Sequence, residues 1–345
     1  MSESSTIGDA RPAPPFHFAG FWQRIGAALI DFLLLGILGW IAVRGFENQL
    51  MTLGQQGRFL GFPVALLYFG LMNSRLAGGA TLGKHAVGIR VVGRDGAPVG
   101  VLRALLRAAV YTLPYYCNGY DFSFLPVSQA AMTVLLTADA LLVFGVGGAE
   151  VYLYLFNWRT RQVAHDLVAG TFVVRQASAH QAIGWHVARV HLAVVSVLLL
   201  LALAGVPVMR WYQPQLQASL GANYATLQAM QTAAAADPDA LAVGVSDNWS
   251  TFSSFATGTS TSGTTTTTTE ILVRVIHRGP TDNEAAFADR IAARVLKISP
   301  DVLGRQKLRI AVVTGYDIGL FNSWSTHNFV GTPADWRGRL AGRQL

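Results

Sequence analysis

A long apolar run near the start of the chain constrains its fold most, because it is long enough to cross a lipid bilayer. The run reads AGFWQRIGAALIDFLLLGILGWIAV and contains two charged residues, Arg24 and Asp31. Seven residues make about two helical turns, so we expect both side chains on one side of a helix. A carboxylate at mid-membrane depth costs about 3 kcal/mol on insertion scales. Asp31 therefore needs a partner, a wet cavity or a proton.

The composition indicates a membrane protein. Of 345 residues, 52% are hydrophobic and 13% are charged, whereas soluble domains carry about 25% charged residues. The net charge is +7, and the basic residues cluster at the ends of apolar segments. This placement is typical of membrane proteins and not of nucleic-acid-binding proteins. The single cysteine, Cys117, excludes an intrachain disulfide and a cysteine-cluster metal site. We expect no cofactor and no bound metal.

Five segments are candidates for membrane insertion, and they predict a mainly α, polytopic helical bundle. They are Phe21–Val43, Phe59–Ala77, Val101–Cys117, Pro126–Phe156 and Val190–Met209. The third segment is short and carries Arg103 and Arg107 in its first turns, so an interfacial helix is the alternative to a full crossing. Because six basic residues lie between Arg75 and Arg107, the positive-inside rule favours five crossings. This topology places the N-terminus in the cytoplasm and the tail outside it, with the first helix as an uncleaved anchor.

The tail after Met209 has the composition of a small soluble α/β (α+β) domain. We expect a helix around Gln215–Ala236 and a long β-hairpin turning near Ser262–Gly263, with a flexible linker through the threonine run as the alternative. A capping box at residues 281–284 then starts a helix, which leads to a strand at Lys307–Thr314. The last stretch reads as irregular, with Trp324, Phe329 and Trp336 covering the sheet. His277, Asp317 and His327 lack metal-binding spacing.

Three separated motifs resemble the RDD family of membrane proteins. They are FWQRIGAALIDFLLL, GATLGKHAVGIRVVGRDGAPVG followed by RALLR, and RQVAHDLVAGTFVV, all within about residues 16–176. The resemblance maps the arginine and two aspartates of the family's name onto Arg24, Asp31 and Asp166. It implies a membrane protein, and some members are similar to proposed sodium/proton antiporters. The long fourth segment, the fifth helix and the tail domain depart from the family pattern.

The acids of the fourth segment suggest an intramembrane polar seam. Asp31 lies about 15 Å along its helix, and Asp139 is expected at a similar depth on a helix running back. We predict that Arg24 pairs with Glu150 or Asp166, and that Asp31 and Asp139 share a proton or a cation. The alternative, which we favour, is that the charges lock the helices together. Small residues at Gly145, Gly147 and Gly148 would allow another helix to approach closely.

Three further patterns are weaker. The run from Gly78 to Lys84 matches a phosphate-binding loop up to its lysine but lacks the following Ser or Thr, so we interpret it as a tight cytoplasmic turn with Lys84 at headgroup level. The pair His165-Asp166 has no nucleophile or third ligand at a useful spacing, which favours a helix cap or salt bridge for Asp166. The β-like runs at residues 88–92 and 170–174 are predicted to pair.

These observations predict four regions: a flexible cytoplasmic tail (1–18), an RDD-like bundle (19–176), a linker with the fifth helix (177–212) and an extracytoplasmic α/β domain (213–345). We expect a non-enzymatic scaffold in a bacterial inner membrane that presents the tail domain to a protein partner or to a second copy. The alternative is a carrier of monovalent cations and protons that uses Asp31 and Asp139. The lipid bilayer is the expected environment, and no nucleic acid is expected as a partner.

Overall fold

The computed structural model describes residues 17–122, 125, 127–177, 182–184, 186–254 and 264–342. The chain forms two compact units. The first consists of residues up to Ile37, Phe62–Gly119 and Leu136–Gly205; the second consists of Leu38–Gly61, Tyr120–Leu135 and Val206–Leu345.

Helices dominate the part of the chain that precedes residue 236. In order, the elements there are α1 (Phe21–Val43), α2 (Glu47–Leu53), α3 (Arg58–Met72), α4 (Leu82–Ala86), β1 (Ile89–Val92), α5 (Val101–Cys117), α6 (Gln129–Ala140), α7 (Gly147–Phe156), α8 (Ala164–Ala169), β2 (Phe172–Arg175) and α9 (Arg189–Ala235). A π-helical turn, Leu141–Val146, joins α6 to α7.

Three helical stretches in the described residues are long and apolar enough to span a membrane: Phe21–Val43, Gln129–Phe156 and Arg189–Gln215. They correspond to the first, fourth and fifth predicted segments. The second and third segments form helices of 15 and 17 residues. At 1.5 Å per residue these helices are about 23 and 26 Å long, short of a 30 Å hydrocarbon core. Five crossings therefore stay a prediction.

The two short β runs of the first unit pair with each other, as predicted. Strands β1 and β2 are antiparallel, with Ile89 opposite Arg175 and Val92 opposite Phe172. Val91 and Val173 on one face of this sheet pack against the neighbouring helices, and Phe172 on the other face packs against Phe18 and Ile183. Gly79, at φ +82°, lies so close to β1 that a Cβ would be 2.4 Å from the carbonyl oxygen of Val91. Helix α4 precedes β1 and helix α8 precedes β2, so both helices lead directly into this small sheet.

The predicted close approach at the glycines of the fourth segment is confirmed at two of three positions. A Cβ on Gly145 would lie 3.1 Å from Leu199 and 3.3 Å from Ala202, both on α9. A Cβ on Gly147 would lie 3.6 Å from Pro114 on α5. Gly148 has no such neighbour within 4 Å. Gly145 is the position where packing most clearly requires a small residue.

The second unit contains a separate C-terminal α/β domain with a mixed four-stranded sheet. Its elements are β3 (Ala240–Ser254), β4 (Thr264–His277), α10 (Glu284–Ile298), β5 (Lys307–Asp317), β6 (Asn322–Gly331) and α11 (Pro333–Ala341), and the strand order is β3-β4-β5-β6. The hairpin β3–β4 and the parallel β4–α10–β5 unit are as predicted. The predicted turn at Ser262–Gly263 lies outside the described residues.

Several expectations for this domain are wrong. The predicted capping box at 281–284 is absent from the described start of α10, because Asn283 is the N-cap and accepts a hydrogen bond from the backbone N–H of Ala286 at 3.0 Å. The last stretch is ordered into β6 and α11, where Thr332 and Asp335 form a reciprocal capping box. Trp336 is buried in the sheet core, whereas Trp324 stays partly exposed.

A second difference concerns α9, which is one helix of 47 residues. The sequence predicted a membrane helix ending at Met209 and a separate helix from Gln215. The helix continues through Pro207 and Pro214, although each proline removes one backbone hydrogen bond. The first turns of α9 belong to the first unit and its C-terminal part to the second.

Within the second unit, the C-terminal sheet contacts the connection between α1 and α3. Arg58 Nη2 lies 2.8 Å from Asp317 Oδ2. Val43 and Leu50 are buried in a cluster with Tyr316 and Ile318. The backbones come very close at Gly61, where a Cβ would be 1.7 Å from the carbonyl oxygen of Ile318. Residues 38–61 are thus packed against the end of β5.

Candidate functional site: a polar network in the helical bundle

Asp166 is the centre of a buried ion-pair network in the first unit. Its Oδ1 lies 3.0 Å from Arg107 Nε and its Oδ2 lies 3.3 Å from Arg24 Nη1. The hydroxyl of Thr171 also donates to Oδ1 at 2.9 Å. Burial would by itself raise the pKa of this carboxyl, but the charges of Arg107 and Arg24 and the Thr171 hydrogen bond hold it well below its usual range. Asp166 is therefore ionised and forms ion pairs with two arginines.

His165 extends the network to Glu150. Its backbone N–H and its Nδ1 both lie within hydrogen-bond distance of Glu150 Oε1, at 2.8 and 2.7 Å. Its Nε2 is 2.8 Å from Arg107 Nη2. Because a guanidinium only donates hydrogen bonds, Nε2 accepts and Nδ1 carries the proton that is donated to Glu150. His165 thus links Glu150 to Arg107.

Asp31 lies in a second polar cluster and is 1% exposed. Tyr68 of α3 donates its hydroxyl hydrogen to Oδ1 at 2.6 Å, and Thr81 donates to Oδ2 at 2.6 Å. The backbone N–H of Gly83 donates to Oδ1 at 2.8 Å. A Cβ on Gly83 would be 2.1 Å from the carbonyl oxygen of Ala27, so only glycine permits this approach. Asp31 thus joins α1 to α3 and α4.

Lys84 lies one residue beyond Gly83 on α4 and is half-buried. Burial and then the charge of Arg107 lower the pKa of Lys84 to about 7, against smaller opposing effects of Asp31 and Asp166. The predicted position of Lys84 at headgroup level stays a prediction. Thr81 caps α4 through the backbone N–H of Lys84, and this turn directs the lysine to the polar cluster.

A cavity of about 260 Å³ lies between the ion-pair network of Asp166 and the polar cluster around Asp31 and is lined by residues of both. Its polar lining comes from the side chains Arg24, Asp31, Lys84, Arg107, Tyr111, Tyr154 and His165, and apolar side chains complete it. This volume has room for several water molecules. The cavity therefore reaches both Asp31 and Lys84.

Asp139 is placed apart from these clusters. It neither hydrogen-bonds Asp31 nor lines the 260 Å³ cavity among the residues that the structure describes. Its Oδ1 is buried and accepts no hydrogen bond from any described residue. The predicted Asp31–Asp139 pair is thus not formed, because donors from α3 and α4 occupy both oxygens of Asp31.

Sequence reasoning found the arginine–aspartate pair but missed most of its partners. Of the two alternatives for Arg24, the structure selects Asp166, while Glu150 binds His165. The missed residues are Tyr68, Thr81 and Arg107, which lie on separate elements, whereas Lys84 and His165 were singled out with other roles. One signal was present: Arg107 closes the RALLR motif, four residues after Arg103, and so falls on one helical face with it.

The fold and the site define a helical membrane protein with an internal ion-pair network and an added α/β domain. Residues 18–170 match the RDD family, and the chain carries an RDD family domain there. A Bacillus subtilis (strain 168) protein described as uncharacterized protein YckC is 26% identical over 159 residues, which cover 45% of this chain and 83% of that protein. No solved structure matches the chain. The resemblance predicted from the motifs is confirmed, and α9 with the C-terminal domain follows the matched region.

Proposed function

We propose that this protein is a non-enzymatic membrane scaffold that self-associates through its C-terminal domain. The observation that carries the proposal is strand β6, an edge of the four-stranded sheet whose side chains are exposed over most of its length. An edge strand offers unpaired backbone N–H and C=O groups for pairing with another chain. Two copies of β6 can extend the sheet across a twofold axis.

The packing of the second unit supports this role. The Arg58–Asp317 ion pair and the cluster around Tyr316 fix the strand next to β6 against residues 38–61. The domain is thereby attached to a membrane-proximal connection as well as to α9. Because the sheet is already held in place, its association with the sheet of a second copy in the bilayer would cost little further conformational entropy.

The bundle itself supports a structural role for its charges. Asp31, Glu150 and Asp166 each bind donors that come from other elements of the bundle. Buried ion pairs can fix the register of helices. With five crossings in a bacterial inner membrane, the N-terminus is cytoplasmic and the C-terminal domain is extracytoplasmic.

Cysteine cross-linking of the full-length protein in proteoliposomes tests self-association. Cys117→Ser removes the native thiol, and Thr326→Cys places one in the middle of β6. We expect an oxidised dimer from Thr326→Cys and a monomer from the matched control Arg337→Cys on the exposed side of α11. A Thr326→Cys protein that stays monomeric under oxidation contradicts the proposal.

A second candidate function is a carrier that exchanges a monovalent cation for a proton in the 260 Å³ cavity. Lys84 is half-protonated near pH 7, and Asp31 lines the same cavity. When Lys84 releases its proton, a cation can replace its charge beside Asp31. Each cation that enters then accompanies one proton that leaves, so charge is conserved.

A proteoliposome assay with an internal pH dye and an imposed sodium gradient tests the carrier. The carrier predicts proton movement with the wild type, its loss in Asp31→Asn, and wild-type rates in the control Asp282→Asn, which changes an exposed residue of the C-terminal domain. Wild-type vesicles that behave like empty vesicles would exclude it.

A further inference from the structure

We propose that the first unit binds the phosphate of an anionic lipid in a second cavity, at the ends of two membrane helices. The cavity has a volume of about 280 Å³ and lies between the first turn of α1 and the segment that follows α7. Arg24 and Arg161 supply its charge, while Trp22, Leu155 and Trp158 supply apolar surface. This proposal does not rest on self-association through β6 or on cation exchange at Asp31.

Arg24 has donors available for an anion. Its side chain is 9% exposed and Nη1 is bound to Asp166. Nε and Nη2 are buried, and neither donates a hydrogen bond to any described residue. A buried guanidinium N–H without an acceptor costs about 1 to 3 kcal/mol, a cost that phosphate oxygens can remove.

Arg161 adds a second positive charge from another element. Its backbone has a φ of +53°, in the left-handed region that arginine rarely adopts, and its N–H donates to the carbonyl of Asn157 at 3.0 Å. Asn157 is itself fixed by hydrogen bonds to Thr160 and to the carbonyl of Gln162. This turn holds Arg161 at the cavity that Arg24 lines. Two arginines that line one cavity can bind a single phosphate through several charge-assisted hydrogen bonds.

The surroundings select a lipid over a soluble phosphate. Phe21 begins one candidate membrane span and Phe156 ends another, so the cavity lies at a membrane–water interface. Trp22 is 78% exposed and Trp158 is 75% exposed. Exposed tryptophans at helix ends are typical of the headgroup region. Leu155, which is also exposed, extends this apolar surface toward the acyl chains.

Native mass spectrometry of the full-length protein with phosphatidylglycerol or phosphatidylcholine tests the site. We expect the wild type to bind phosphatidylglycerol at least tenfold more tightly than phosphatidylcholine. Arg161→Gln should lose most of that preference, and Arg161→Lys should retain part of it. The matched control is Arg159→Gln, an exposed arginine two residues earlier, which should bind within twofold of the wild type.

Three results would overturn the proposal. One is an unchanged lipid preference in Arg161→Gln; another is equal binding of the two lipids by the wild type. The third is displacement of phosphatidylglycerol by inorganic phosphate at millimolar concentration, which would assign the cavity to a soluble anion. A melting curve of each variant shows that it is folded, and Trp158→Ala, which should weaken lipid binding without removing charge, replaces Arg161→Gln if that variant is unfolded.

Discussion

Lys84 is the residue in the bundle whose charge is most sensitive to pH. Its pKa of about 7 lies below the value of about 10.4 for an unfolded chain. Between these two values the unfolded chain binds more protons than the folded protein. The free energy of unfolding should therefore rise with pH across this interval.

Lys84→Met tests this linkage. From pH 7 to 9.5 we expect the wild type to gain stability, by less than about 1.4 kcal/mol per pH unit since Lys84 is partly exposed. The methionine variant should lack this gain. Denaturant unfolding in detergent at several pH values measures the difference, with Lys297→Met on the exposed face of α10 as a control that keeps the wild-type slope. Parallel pH curves for Lys84→Met and the wild type would show that Lys84 titrates normally.

At the residue scale, the sequence predicted charges better than it predicted their partners. Arg24 and Asp166 were identified because a charge in or beside an apolar segment is conspicuous. The ion pair between them joins positions 142 residues apart in the sequence. Contacts at such a sequence separation depend on how the helices pack, which local sequence patterns do not show. Tyr68 and Thr81 are common residue types in membrane helices and turns, so nothing in the sequence marks them as ligands of Asp31.

At the scale of elements, the close packing of α4 against α1 depends on Gly83. Its Cβ would lie 2.1 Å from the Ala27 carbonyl oxygen and 2.9 Å from the Asp31 carboxyl. Gly83→Ala must push α4 away from α1 and break the hydrogen bond from its N–H to Asp31. We expect a loss of about 2 to 3 kcal/mol in the free energy of unfolding.

The matched control is Gly100→Ala at the start of α5. A Cβ there has no neighbour within 4 Å, and the backbone φ is −65°. The free energy of unfolding of Gly100→Ala should differ from that of the wild type by less than about 1 kcal/mol. If Gly83→Ala were as stable as this control, α4 would not be fixed against α1 by close contact.

The prediction of helices and strands succeeded where the local sequence pattern determines the secondary structure, and it failed where the pattern does not. The pairing of β1 with β2 followed from two short β-branched runs, and the β3–β4 hairpin followed from alternation and a threonine run. The continuous helix α9 was missed because Pro207 and Pro214 are helix breakers in most sequences. Strand β6 was missed because its exposed polar residues lack the alternation of a half-buried strand.

At the scale of the whole molecule, the second unit joins the C-terminal sheet to residues 38–61 through Gly61. Alanine there would place a Cβ 1.7 Å from the Ile318 carbonyl oxygen. We expect Gly61→Ala to separate the end of β5 from this connection, and hydrogen exchange at residues 316–321 to accelerate at least tenfold. Gly205→Ala, with no neighbour within 4 Å of its Cβ, should leave that exchange unchanged. Unchanged exchange in Gly61→Ala as well would mean that the contact is not maintained in solution.

The overall class, a helical membrane bundle with a mixed α/β domain, was predictable from hydropathy and alternation. The contact between residues 38–61 and the domain was not predictable, since it joins Arg58 to Asp317 across 259 positions. No local periodicity reports such a contact.

The account rests on the claim that the charges of the bundle are structural cross-links, and a double-mutant cycle on Arg107 and Asp166 tests it most directly. The free energies of unfolding of the wild type, Arg107→Gln, Asp166→Asn and the double variant give the coupling energy of the pair. We expect each single variant to lose about 3 kcal/mol, because it leaves a buried charge without its partner. The coupling energy should be about 1.5 to 3 kcal/mol. Additive losses, with a coupling energy within about 0.5 kcal/mol of zero, would contradict the claim.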